Sequence, residues 1–241
     1  MPRFFTTDIN QTTGTITGED ARHISKALRC KVGEELVACD GMGNDYQCRI
    51  ADMGDTTVTL TVLSSAPSRS EPPVSIRLFQ ALPKADKLEL IVQKAVELGV
   101  TTITPVLTER CVSRPDGKAM EKKLERLNRI SLEAAKQSGR GVIPQVTALL
   151  SLREALAEMK QAQEAILFYE NATAPLGTVL AERPRTISLL IGAEGGFSEA
   201  EVAEATAAGL HVCTMGSRIL RCETAPMYAL SAITYEYENR R

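Results

Sequence analysis

The chain has 241 residues, 44% of them hydrophobic and 24% charged, with a formal net charge of −2 and a mean hydropathy of −0.08. That balance suits one large globular domain or two smaller ones, and it excludes a protein that grips nucleic acid through bulk positive charge. The longest uncharged apolar runs, AILFY and TISLLI, are strand-sized and well short of the roughly 20 residues a bilayer-crossing helix needs.

The N-terminus, MPRFFTTDIN, has no apolar secretory core, so a cytoplasmic location is expected. RFF, GTIT, ELVACD, YQCRIAD and TTVTLTVL then read as short strands around one helical stretch, Glu19 to Arg29, with DGMGN as a turn. They predict a small β-barrel or sandwich. On the helical stretch Arg22, Lys26 and Arg29 follow i, i+4, i+7 spacing with His23 beside them. Like charges so placed repel; a polyanion partner is one explanation, and a solvated face with Glu19 as counter-ion is the other. SSAPSRSEPP, residues 64–73, reads as a linker between a first domain, 1–68, and a second, 74–241.

Beyond the linker the period changes. VSIRLFQ, TTITPVL, EAILFYE, TISLLIG and HVCTMG are apolar runs separated by helical patterns, the mark of an α/β fold with a largely parallel sheet covered on both faces. Asp86 to Leu98 puts Leu88, Ile91, Val92, Ala95 and Leu98 on one helical face, and Gly99 stops it. After Gly117, the residues Lys118, Lys122, Arg126, Arg129, Glu133, Lys136 and Arg140 recur at helical steps, a cationic row able to follow a phosphate backbone or to serve as a solvated outer face. Aromatics for base stacking are few: Phe4, Phe5, Tyr46 and Tyr169. The six cysteines form no C-x-x-C pair and only two histidines accompany them, which fits reduced core thiols and predicts no metal site.

Two glycine-punctuated turns, IGAEGGFS and MGSRILRCETA, each follow an apolar run and lead into a helix, the first through a Ser198–Glu201 capping box. Turns at the carboxyl ends of strands in an open α/β sheet are where ligands sit. Neither G-x-x-x-x-G-K-[ST] nor G-x-G-x-x-G is present, and Glu194 would repel a phosphate, so a cationic ligand or an adenosyl group read by backbone amides fits better than a nucleotide phosphate. Arg221 and Glu223 flank Cys222 where a buried charge must be used or paired, either in chemistry or as a structural ion pair.

IGAEGGFSEAE and MGSRILRCETA resemble the signatures of the RsmE-type ribosomal RNA uracil-N3 methyltransferases of the SPOUT class. MPRFF, HISKALRCKVGEELVACDGMGNDYQCRI, QALPKADKLELIVQKAVELGVTTITPVLTERCV and LERLNRISLEAAKQSGRGVIPQV extend the likeness over nearly the whole chain. The resemblance implies a PUA-like β-barrel followed by a SPOUT domain with a C-terminal trefoil knot. It also implies S-adenosyl-L-methionine as methyl donor, a homodimer, and a uridine of small-subunit (16S) ribosomal RNA, free or in the assembled subunit, as substrate. Carried over by position, Gly192, Glu194, Gly195 and Gly196 form the first cofactor loop, and Met215, Gly216, Ile219, Leu220, Thr224 and Ala225 the second. Ala193 stands where the family usually has proline.

Within that reading Arg221 stabilises the charge that develops on the uracil oxygens. Glu223 accepts the imide proton if its surroundings raise its pKa, or else orients Arg221. Arg3, Arg22, His23, Lys26, Arg29, Arg126, Arg129 and Arg140 are the expected RNA contacts. A ribose 2′-O-methyltransferase of the same class and a noncatalytic RNA-binding assembly factor are the competing readings.

Overall fold

A computed structural model describes residues 1–239 and resolves into two units, Met1–Glu71 with Ala135–Ile143, and Pro72–Ala134 with Pro144 onward.

The first unit is built on β1 (Arg3–Phe5), β2 (Thr13–Thr17), β3 (Glu35–Cys39), β4 (Asn44–Met53) and β5 (Thr57–Pro67), in the order β1-β3-β4-β5-β2. β1 runs parallel to β3 and the other pairs are antiparallel. Side chains alternate across a strand, so Tyr46, Cys48 and Ile50 of β4 and Val58 and Leu60 of β5 all point into one core. β1 and β2 are not paired with each other, and Ala21 and Ile24, both fully buried, bring the segment after β2 into the same core. This is an open barrel.

That segment corrects the helix expected over Glu19–Arg29. An α-helical turn, α1 (Gly18–Arg22), passes into a π-helical turn at His23–Ala27, and Arg29 lies beyond it at φ +54. The wider turn keeps Ile24 inward, and Arg22, His23, Lys26 and Arg29 are all exposed without forming a straight stripe. Phe4 and Tyr46 belong to the core rather than to a stacking surface. The interval 64–73 is only partly a linker, because β5 pairs with β4 as far as Pro67.

The return segment Ala135–Ile143 is tied to this unit by Arg140. Its guanidinium binds the carboxylate of Glu71, with Nη2 2.6 Å from Oε2, while the amides of Gly141 and Val142 donate to Glu71 Oε1 at 2.8 and 3.1 Å. Arg140 is 2% exposed, so it is not a phosphate contact. Arg3 is likewise held, by Asp45 at 2.6 Å and Ser68 at 3.0 Å.

The second unit carries β6 (Ser75–Ala81), α2 (Lys87–Glu97), β7 (Thr102–Leu107), α3 (Gly117–Ser138, ending in the first unit), β8 (Gln145–Val146), β9 (Leu150–Ser151), α4 (Leu152–Met159), β10 (Glu164–Phe168), β11 (Ala174–Pro175), α5 (Leu176–Leu180), β12 (Thr186–Ile191), α6 (Glu199–Ala207), β13 (His211–Thr214) and α7 (Thr224–Asn239). Its sheet runs β11-β13-β10-β12-β6-β7-β8, and the pairs are parallel. Parallel strands are covered on both faces, which is why Ile76, Leu78, Phe79, Gln80 and Ala81 are all buried along β6 instead of alternating. α2 buries Leu88, Ile91, Val92 and Ala95 as its spacing requires, with Val96 in place of the half-buried Leu98. The cationic row ends sooner than its spacing suggests, since α3 stops at Ser138 before Arg140.

Candidate active site

β12 and β13 lie on either side of β10, so their carboxyl ends sit two strand spacings, roughly 10 Å, apart. The turn after β12 and the turn after β13 therefore face each other across the end of β10. Between them is a cavity of about 480 Å³, lined by Phe168 at the end of β10, by Tyr169 and Glu170 after it, by Ile191–Glu194, Gly196 and Phe197, by Thr214–Cys222, and by Lys87 and Ala225. Its volume falls in the ordinary range for small-molecule sites.

The first turn is shaped by two glycines. Gly196 donates to the Ala193 carbonyl at 3.0 Å, folding the loop back so that a Cβ on Gly192 would stand 3.1 Å from Gly196 Cα. Gly196 itself has φ +64, a conformation L side chains rarely adopt, and a Cβ there would meet Glu170 Oε2 at 3.3 Å. α6 then starts with the expected capping box: Ser198 Oγ accepts from Glu201 N at 3.3 Å and Glu201 Oε2 accepts from Ser198 N at 2.9 Å. Glu201 is 6% exposed because its other oxygen accepts the Glu109 amide at 2.7 Å, fastening the loop after β7 to this helix start.

In the second turn, the amides of Thr224 and Ala225 donate to the Arg221 carbonyl at 2.8 and 2.9 Å, which starts α7 at Thr224. The Arg221 side chain is exposed on the cavity wall and has no ion-pair partner among the described residues.

Glu223 does not pair with Arg221. Its Oε2 receives the Cys222 thiol at 3.2 Å and the Lys87 ammonium at 3.3 Å. The Cys222 hydrogen bond, the residue's own amide and Lys87 together hold Glu223 below the ordinary carboxylate range. A raised pKa was the condition for its acting as proton acceptor. The structure reverses that condition, because donors to a carboxylate stabilise its charged form. Lys87 was absent from the sequence-based site. Its Nζ also lies 3.0 Å from Glu194 Oε1, and Glu194 further accepts the Lys84 amide at 3.2 Å. The available signal was its place at the first turn of α2, after β6, where the sheet's carboxyl edge brings it beside β12.

Of the residues assigned to cofactor loops, Gly192, Glu194, Gly196, Met215, Gly216, Ile219, Leu220 and Ala225 line the cavity. Gly195 and Thr224 do not; the Gly195 carbonyl accepts from Arg110 Nη1 at 2.9 Å, and Thr224 opens α7. Tyr169 is at the cavity, whereas Phe5 belongs to β1 of the other unit. Arg129 is exposed on α3, and Arg126, also exposed, is paired with Glu89 at 2.8 Å.

Residues 70–234 match the model of an RNA methyltransferase domain, and residues 16–63 that of an RNA methyltransferase PUA domain. The chain belongs to the RsmE-type RNA methyltransferase family. The methyltransferase is 36% identical over 233 residues to the ribosomal RNA small subunit methyltransferase E of Bacillus subtilis, an alignment covering 94% of this chain and 91% of that one. A Synechocystis protein of the same name is 34% identical, with 93% and 74% covered. Among solved structures, the Neisseria gonorrhoeae ribosomal RNA small subunit methyltransferase E bound to S-adenosyl methionine superposes with a TM-score of 0.85 at 32% identity, covering 98% of both chains. A putative methyltransferase from Legionella pneumophila in complex with the same cofactor gives 0.82 at 29% identity, covering 97% of this chain and 96% of that one.

Proposed function

We propose that this methyltransferase uses S-adenosyl-L-methionine to methylate N3 of a uridine in small-subunit (16S) ribosomal RNA. The observation that carries the reading is the meeting of both glycine-punctuated turns at one cavity with Arg221 on its wall. The residues present fit an adenosyl ligand: a Cβ on Gly192 or Gly196 would crowd the folded loop that borders the cavity, and Phe168 and Leu220 give it apolar walls. Gly192, Glu194, Gly196, Met215, Gly216, Ile219, Leu220 and Ala225 would hold the cofactor, with Gly195 and Thr224 shaping the loops behind them. When bound, S-adenosyl-L-methionine supplies an electrophilic methyl group on a sulfonium, which leaves as a neutral thioether.

The protein's task is the nucleophile. Uracil N3 carries an imide proton, and its lone pair becomes available only as that proton passes to solvent water and negative charge spreads to O2 and O4. A guanidinium is permanently charged and offers paired donors, so Arg221 stabilises that charge as it develops. Glu223, ionised and bound to Cys222 and Lys87, orders the second turn instead of acting as a base with a raised pKa.

RNA capture is assigned to the exposed Arg22, His23, Lys26 and Arg29 of the first unit and to Arg129 and Arg126 on α3. The domain division at 1–68 and 74–241, the trefoil knot, a homodimer and a cytoplasmic setting belong to the same proposal. The knot rests on the family to which the chain belongs. The homodimer is supported by exposed Tyr228 and Tyr235 on α7. No helix among the described residues is long and apolar enough to cross a membrane.

The test is nucleoside mass spectrometry of small-subunit ribosomal RNA from cells lacking the protein, with and without complementation. Loss and recovery of N3-methyluridine is expected. Loss of a 2′-O-methyl nucleoside instead, or no change in any modified nucleoside, would overturn the reading.

A further inference from the structure

Lys87 is the one described side chain that forms ion pairs with both turns of the cavity. Its Nζ is 3.0 Å from Glu194 Oε1 in the first turn and 3.3 Å from Glu223 Oε2 beside the second, and 3.8 Å from Cys222 Sγ. The first turn is anchored a second time on the same segment, where the Lys84 amide donates to both Glu194 oxygens at 3.2 and 3.3 Å. Other charged or titratable groups bordering the cavity are Arg218 and Arg221 of the second turn and Tyr169 and Glu170 after β10. Neither arginine has an ion pair with Glu194 or Glu223 among the described residues.

We infer that Lys87 is a positioning residue for cofactor binding, a cationic latch that holds the two turns at the spacing the adenosyl group requires. Two carboxylates that share one ammonium repel each other when it is removed, and here Glu194 lines the cavity in the first turn while Glu223 follows the lining residue Cys222 in the second. The latch thus lets both stay ionised without opening the cavity. Consistent with this, Lys87 is driven above its ordinary range, chiefly by its hydrogen bond to Glu194. Glu194 falls below its own range because the Lys87 hydrogen bond and the amides of Glu194 and Lys84 outweigh the upward push of burial.

This inference rests on the cofactor reading above, and calorimetry separates the two. Titration of S-adenosyl-L-methionine into the wild-type protein tests that reading first, since an absence of binding sinks it whatever Lys87 does. With wild-type binding in hand, Lys87→Met is expected to weaken affinity about tenfold at neutral pH, as loss of charge-assisted hydrogen bonds does, while Lys87→Arg keeps most of it. In Lys87→Met the unscreened carboxylates should share a proton at lower pH, so affinity recovers from about pH 8 toward about pH 5, whereas the wild type stays nearly flat. Adding Glu223→Gln to Lys87→Met should restore part of the lost affinity at neutral pH by removing the repulsion. A plain packing role for Lys87 would move neither the pH profile nor the double variant. Unchanged affinity in Lys87→Met, or a loss independent of pH that Glu223→Gln leaves uncorrected, overturns the inference.

Discussion

Glu71→Ala is expected to destabilise the first unit by about 3–5 kcal/mol, the range for a buried ion pair broken from one side. Arg140 is 2% exposed and its Nε and Nη2 both bind the Glu71 carboxylate, at 3.1 and 2.6 Å, so the substitution takes two charge-assisted hydrogen bonds from a buried guanidinium. The amides of Gly141 and Val142 lose the same acceptor. Burial alone would raise the Glu71 pKa, but the hydrogen bonds and charge of Arg140 and the two amides bring it below the ordinary value. A folded pKa lowered in this way contributes stability above the unfolded value, and that contribution is lost as pH falls through the folded one. Urea unfolding by circular dichroism, with proteolysis of the Ala135–Ile143 segment as a local probe, measures the effect. The wild type should lose stability on acidification below about pH 4, and the variant should lack that component of the pH dependence. Arg140→Met in the Glu71→Ala background should recover part of the loss, because a buried charge that has lost its Glu71 carboxylate is replaced by an apolar side chain. A loss below about 1 kcal/mol, the value of an exposed pair, would refute the reasoning.

Arg221→Ala should lower kcat for ribosomal RNA by about a hundredfold or more while S-adenosyl-L-methionine affinity changes little, and retained turnover would remove Arg221 from the chemistry. Gly196→Ala imposes a Cβ at φ +64 against Glu170 Oε2, and calorimetry should show weaker cofactor binding with the fold preserved by circular dichroism. Cys222 is buried and its thiol is pushed up to about 12, by desolvation first and then by its hydrogen bond to Glu223. Iodoacetamide at about pH 8 should therefore leave Cys222 unmodified in the folded protein, because the thiolate is the reactive form; mass spectrometry of tryptic peptides reads this, and rapid labelling would contradict it.

The longer strands of both units were legible because period-2 alternation and continuous apolar runs are imposed by local burial, as in Tyr46, Cys48 and Ile50 on β4 and the buried stretch of β6, whereas the two-residue strands β8, β9 and β11 are too short to show a period. The Ser198–Glu201 capping box was equally readable, since both partners lie within one helical turn. The two turns that line the cavity could be named from their glycines, and the family from their order along the chain.

What the sequence could not reveal are pairings between residues far apart in the chain. Arg140 continued a helical spacing yet is withdrawn into an ion pair with Glu71, 69 residues away. Glu223 stood two residues from Arg221 but turned to Lys87, because parallel strand order, not proximity along the chain, decides which side chains share the carboxyl edge of the sheet. Composition and periodicity determined which segments fold as strands and helices and which turns carry glycine. Only the tertiary arrangement decided where each charge finds its counter-charge, since an electrostatic partner is chosen by distance in space and by the water excluded around it.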